Sequence, residues 1–126
     1  MKFLLDTCSL IWLLTGERRL TDRTRLAIAQ AEVFVSAASA WEIAIKHAKG
    51  TLRFSGPPER IVPAARERYG FQSLPVDEAS ALHVGKLPPL HADPFDRILV
   101  SQAIVHGLTI VTPDPLVTQY PARTTW

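Results

Sequence analysis

Short apolar runs alternate along this chain with stretches of helical periodicity. Lys2 to Leu5 predicts a short buried strand, and Ser9 to Leu14 a helix ended by Thr15-Gly16. Asp22 can cap a second helix through Gln30, with Leu26, Ala27 and Ala31 on its apolar side. Val33 to Val35, β-branched and aromatic, predicts a second strand. Ser36 then caps a long helix reaching Lys49 and stopped by Gly50; its stripe of Ala40, Ile43, Ala44 and His47 has helical spacing. Gly56-Pro57-Pro58 marks a turn before a helix from Glu59 to Tyr69, and Phe71 to Val76 is extended, a candidate third strand. Asp77 caps a helix to about Val84, and Leu87-Pro88-Pro89-Leu90 is a rigid loop. Pro94 to His106 is helical, with Gly107 as the stop. Leu108 to Val111 is another buried strand, Asp114-Pro115 starts a helical turn, and the tail to Trp126 is a candidate edge strand.

Strands alternating with helices define an α/β chain with a parallel sheet covered on both faces. In such sheets ligands sit beyond the carboxyl ends of the strands. Asp6 and Asp114 both follow strand ends, which makes the acidic residues worth weighing together.

Asp6, Glu42, Asp93, Asp96 and Asp114 each adjoin an apolar segment. Asp6 follows Phe3-Leu4-Leu5, and Glu42 is embedded in Ala40-Trp41-Glu42-Ile43-Ala44. Asp93 and Asp96 open the stretch Ile98-Leu99-Val100, and Asp114 follows Thr109-Ile110-Val111-Thr112. If the fold gathers them, their repulsion calls for a divalent cation or a bound basic group. That is the character of a metal-dependent acid site acting on phosphodiesters. Each acid also has a plainer reading. Asp6 can cap the helix near Ser9, Asp93-Pro94-Phe95-Asp96 is a good helix start, and Asp114-Pro115 has the same cap-plus-proline form. Glu42 can form a capping box with Ser39 or turn to water. The functional reading rests on joint placement and on one mid-helix glutamate.

Composition narrows the choice. The 126 residues suffice for one domain with a core, and 47% apolar with 21% charged is ordinary for a globule. One cysteine, Cys8, excludes an intrachain disulfide and fits a reducing cytoplasm; it is expected simply to pack at a helix start. Asp6 interrupts the apolar N-terminus, which argues against a signal peptide, and no apolar run is long enough to span a bilayer. Setting the candidate acids aside leaves 7 of the 12 Asp and Glu against 14 Lys and Arg. A basic surface around an acidic pocket suits a polyanion held by its phosphates.

The histidines show no zinc-ligand spacing; His91 alone lies close enough to Asp93 to touch the candidate site. No phosphate-binding glycine loop and no nucleophile elbow is present. Trp12, Trp41 and Trp126 are widely spaced and are expected in the core rather than on a stacking platform. Two other classes compete: an acid-pocket phosphoryl-transfer enzyme with an Asp6 nucleophile, and a non-catalytic RNA-binding module with capped helices. Cys8 stands where a dehalogenase-type phosphotransferase places its second Asp.

The assembled motifs resemble the PIN-domain ribonucleases, in particular the toxin subunits of VapBC-type toxin–antitoxin pairs. Leu4-Leu5-Asp6-Thr7 with Leu10-Ile11-Trp12-Leu13-Leu14 is similar to the family's opening strand and helix, and Val35 to Lys46 to its central acid helix. His91-Ala92-Asp93-Pro94-Phe95-Asp96-Arg97-Ile98-Leu99-Val100-Ser101-Gln102-Ala103 is the most specific stretch, and Thr112-Pro113-Asp114 matches the last acid motif. Cys8 departs from the His or Ser often found there.

The resemblance implies a single PIN domain over residues 1–126, an α/β/α sandwich with a central, mainly parallel sheet. It implies a Mg²⁺-dependent endoribonuclease, with Mn²⁺ as a substitute, that is a cytoplasmic homodimer inhibited by a small VapB-like antitoxin. Asp6, Asp96 and Asp114 are then expected to hold the ion, partly through water, with Glu42 at a metal water or the attacking water. Asp93 is expected as cap and support, and Lys46, Lys49, Arg97 and Thr112 as substrate contacts.

Overall fold

The computed structural model describes residues 1–126. The elements run β1 (Lys2–Leu5), α1 (Thr7–Thr15), α2 (Asp22–Ala29), β2 (Glu32–Ser36), α3 (Ala37–Ala48), α4 (Pro58–Tyr69), β3 (Gln72–Leu74) and α5 (Glu78–His83). A 3₁₀ turn at Val84–Lys86 follows, then α6 (Pro94–His106), β4 (Thr109–Val111), α7 (Pro115–Thr118) and β5 (Thr124–Thr125). The five strands form one sheet in the order β3-β2-β1-β4-β5, and every pairing is parallel. The α/β/α layering expected from the alternation is therefore present, and the C-terminal tail does supply the edge strand.

Period-two alternation sends successive β1 side chains to opposite faces. Phe3 and Leu5 join Val33, Val35, Ile43 and Val62 in one core. Leu4 joins Leu99, Val100, Ile110 and Val117 in the other. Helices α3 and α4 thus cover one face, and α6 and α7 the other. The register pairs Leu5 with Val111, so β1 and β4 end side by side. The Asp6 N–H continues the ladder to the Val111 carbonyl at 3.2 Å. Asp6 and the Thr112-Pro113-Asp114 segment consequently leave the sheet at the same, carboxyl end of the strands.

Several boundaries differ from the sequence-based expectation. α2 is capped by Thr21, whose hydroxyl accepts from Thr24 N at 3.2 Å, and Asp22, expected as the cap, is its first helical residue. α1 begins at Thr7 rather than Ser9, because Asp6 itself is the cap and accepts from Ser9 N. β3 is confined to Gln72–Leu74, the residues paired with β2, and Pro75 cannot donate to a ladder. The helix capped at Asp77 tightens into the 3₁₀ turn after His83. Of the tryptophans, Trp12 and Trp126 pack against the core as expected, and only Trp41 differs. Trp12 and Trp126 pack edge to face, centroids 5.8 Å apart. Trp41 is 64% exposed and rests on Phe95. It lies on the outer face of α3, because the helix buries the side carrying Ile43.

Candidate acidic active site

Asp6 is the most enclosed of the five acids, 4% exposed at the end of β1. Its Oδ1 accepts from Ser9 N at 2.8 Å, and Cys8 Sγ lies 3.4 and 3.5 Å from its two oxygens. The Ser9 hydroxyl donates to Val111 O at 3.0 Å, which ties the start of α1 to β4. The Thr7 hydroxyl donates to Ser39 Oγ at 3.0 Å, which ties it to α3, the helix of Glu42. Burial raises the pKa of Asp6 against the opposing hydrogen bonds from Ser9, Thr112 and Cys8.

Asp96 enters from the first turn of α6. Burial raises its pKa; a hydrogen bond from His91 opposes this, and the negative charges of Asp93 and Asp114 add to it. Asp114 caps α7 through Leu116 N at 2.9 Å. Its own N–H donates to Thr112 Oγ1 at 3.1 Å. The Cys8 thiol is held well above its ordinary range by burial first, then by the charges of Asp6, Asp114 and Asp96. One side chain thus feels all three acids, from the ends of β1 and β4 and the start of α6.

Glu42 and Asp93 flank this group on the α3 side. Glu42 is 7% exposed, and the partner that permits its burial is Lys46, one helical turn on, with Nζ 2.8 Å from Oε2. That hydrogen bond raises the Lys46 pKa, and the charges of Glu42, Asp93 and Asp96 contribute. Asp93 caps α6, its Oδ1 accepting from Phe95 N at 2.9 Å and Asp96 N at 3.2 Å. Lys46, Lys49, Glu42 and Asp93 line one open groove of about 500 Å³. A second, apolar groove of about 380 Å³ shares Pro94 and Phe95 with it and is lined by Trp41, Val76 and Ile98.

Two expected substrate contacts are placed otherwise. Arg97 directs its guanidinium inward, donating to Pro88 O at 2.9 Å, Tyr120 Oη at 2.9 Å and Val84 O at 3.3 Å. Its position after Asp96 suggested a phosphate contact, but the preceding loop has carbonyls that need a donor. Thr112 is 1% exposed and serves Asp6 and Asp114 from within. Sequence reasoning missed Tyr120, which has no local signal, and left His91 unassigned. His91 bridges Tyr120 Oη at 2.7 Å and Asp96 Oδ2 at 3.0 Å.

The donor set fits a hard divalent cation, being carboxylate oxygen throughout. No three His, Cys, Asp or Glu side chains converge tightly enough to ligate one ion directly. Mg²⁺ retains several waters, so the arrangement suits an ion held partly through them. Asp6, Asp96 and Asp114 are the residues that would do so.

The chain belongs to the PIN domain family, whose sequence model matches residues 3–121. A search of curated proteins gives no significant match. Among solved structures, the chain is similar to VapBC2 from Rickettsia felis bound to a promoter DNA fragment. There the TM-score is 0.77 at 14% identity, covering 99% of this chain and 98% of that one. DNA-bound VapBC from Salmonella typhimurium gives 0.69 at 21% identity, covering 99% and 97%. FitAcB from Neisseria gonorrhoeae gives 0.70 at 19%, covering 98% and 96%. At such identities the likeness establishes the shared fold.

Proposed function

We propose that this chain, as a single PIN domain, is a Mg²⁺-dependent endoribonuclease, with Mn²⁺ able to substitute, and the toxin of a toxin–antitoxin pair. The observation that carries the reading is the meeting of two strand ends: Asp6 follows β1 and bonds Val111 O through its N–H, the Thr112–Asp114 turn follows β4, and the charges of Asp114 and Asp96 both reach the neighbouring Cys8. Membership of the PIN family supports a nuclease, and the similar solved structures are of VapBC and FitAB proteins.

The three aspartates would hold the ion, partly through water. When bound, that ion supplies Lewis acidity and a counter-charge for the scissile phosphodiester. Glu42, held in place by Lys46 at 2.8 Å, would orient the attacking water through its carboxylate. Water as nucleophile leaves 5′-phosphate and 3′-hydroxyl ends. Lys49, exposed in the same groove, is the cation free to meet a substrate phosphate, and Lys46 joins it while paired to Glu42. Asp93 holds the start of α6, and Thr112 holds Asp6 and Asp114. Arg97 acts as a brace and not as a phosphate contact.

The partner is a small VapB-like antitoxin that places Arg or Lys against Asp6 and Asp96 and an apolar stretch on the neighbouring helices. The active form is a cytoplasmic homodimer; no helix is long and apolar enough to cross a membrane. Induced expression tests the reading. The chain should arrest growth and generate RNA fragments with 5′-phosphates, co-expression of its cognate antitoxin should relieve the arrest, and Asp96→Asn should be harmless. Equal arrest by wild type and Asp96→Asn would sink it.

A further inference from the structure

A chain of hydrogen bonds behind Asp96 has a direction that follows by elimination. Tyr120 is buried, and its phenol oxygen has two partners, Arg97 Nη1 at 2.9 Å and His91 Nδ1 at 2.7 Å. A guanidinium only donates, so Arg97 cannot take the phenol proton. A buried hydroxyl must place its proton somewhere, and His91 Nδ1 is the one acceptor within reach. Nδ1 is therefore bare and the ring proton sits on Nε2, 3.0 Å from Asp96 Oδ2. Donation runs one way, from Arg97 to Tyr120 to His91 to Asp96.

The frame around this relay is fixed at both ends. The same Arg97 guanidinium donates to Pro88 O and Val84 O, so it also holds the loop that carries His91. Both side chains of the terminal pair are largely enclosed, His91 at 10% and Asp96 at 20% exposure. A carboxylate with one oxygen pinned cannot swing about its terminal torsion, and such outer partners commonly decide how well an acid serves an ion.

We propose that His91 is the positioning residue for Asp96, locked in its Nε2–H tautomer by Tyr120 and Arg97, pinning Oδ2 and leaving the other oxygen for the ion. The role rests on the metal-site reading above; the tautomer does not.

Two measurements on the full chain separate these. Nitrogen-15 NMR of the histidine rings in metal-free protein at neutral pH should show the His91 proton on Nε2, and Tyr120→Phe, which removes the donor to Nδ1, should move the Nδ1 shift toward that of an unbonded bare ring nitrogen. Mn²⁺ titration, followed by electron paramagnetic resonance without RNA, should show His91→Ala and Tyr120→Phe each binding about tenfold more weakly or worse. His91→Gln, whose amide nitrogen can stand in for Nε2, should bind more tightly than His91→Ala. If His91→Ala does not fold by circular dichroism, His91→Gln and Tyr120→Phe carry the comparison. A proton on Nδ1 in wild type overturns the relay whatever the metal does. The stated tautomer with wild-type Mn²⁺ affinity in Tyr120→Phe and His91→Ala overturns the positioning role. The stated tautomer with no Mn²⁺ binding by wild type overturns the metal reading, and the positioning role with it.

Discussion

The Cys8 thiol lies 3.4 Å from Asp6 Oδ2 and 3.5 Å from Oδ1, so the chain's one cysteine donates to the most enclosed acid of the site. A thiol that is part-buried and faces Asp6, Asp114 and Asp96 is held as a thiol, not a thiolate, and thiolate is the reactive form. Cys8 should therefore react with iodoacetamide at pH 8 far more slowly in native protein than in urea. Asp6→Asn should speed the native reaction. Equal rates in the folded and unfolded protein would contradict the placement.

The raised pKa values of Asp6 and Asp96 make a prediction about the metal-free protein. A carboxyl with a native pKa above its unfolded value binds more protons when folded, so its stability contribution is full below about 3.9 and is lost as pH rises through the raised value. Metal-free protein should lose stability across that window, measured by urea unfolding. Asp6→Asn should flatten the loss and leave the neutral-pH melting temperature unchanged or higher. Asp77 acts in the opposite sense. Its pKa is lowered to about 2 by hydrogen bonds from Ser80 and His106, so its contribution is present above the ordinary value and lost toward pH 2. A steeper fall with pH in Asp6→Asn than in wild type would contradict the assignment.

Asp93 and Asp96 begin one helix but should separate cleanly. Asp93 accepts two backbone N–H groups, so Asp93→Ala should cost roughly 1 kcal/mol and only part of the activity, and Asp93→Ser should restore the cap. Asp96 caps nothing, and Asp96→Asn should abolish cleavage with little loss of stability. Denaturant unfolding and RNA cleavage, run on the same preparations, decide this. An active Asp96→Asn beside a folded but dead Asp93→Ser would reverse the two roles.

Much of this architecture was legible because it is written in local chemistry. Short apolar runs ended by Asp6 and Asp114 marked strands whose ends meet, and Gly107, with φ of 67°, stops α6 where its sequence position suggested. Glu42 lies among apolar neighbours in the sequence, which points to its burial, whereas the local sequence gives no sign that Lys46 is committed to it as a partner. The Arg97–Tyr120–His91 link was not legible, because Tyr120 reaches the site from 29 residues beyond His91 and only tertiary packing joins them. The exposure of Trp41 was hidden for a related reason. Tryptophan is apolar enough to suggest a core, and which face of α3 it occupies depends on what packs there.

Gln102 is another such long-range tie. It is fully buried in α6, accepts from Ser36 Oγ at 2.6 Å and donates to Pro75 O at 3.1 Å, so it joins α6 to the ends of β2 and β3. Gln102→Leu should destabilise by about 1–3 kcal/mol by leaving buried polar groups unpaired. Thermal unfolding measures it, and a variant as stable as wild type would show that the tie contributes nothing.

The central claim is that grouped carboxylates on a PIN fold cut RNA through a divalent ion. Purified protein should be incubated with RNA in Mg²⁺, in EDTA and in EDTA followed by excess Mn²⁺, beside Asp6→Asn prepared identically. The account predicts cleavage in Mg²⁺, none in EDTA, recovery with Mn²⁺ and no activity in a fully folded Asp6→Asn. Undiminished cleavage in EDTA, or by Asp6→Asn, would contradict it.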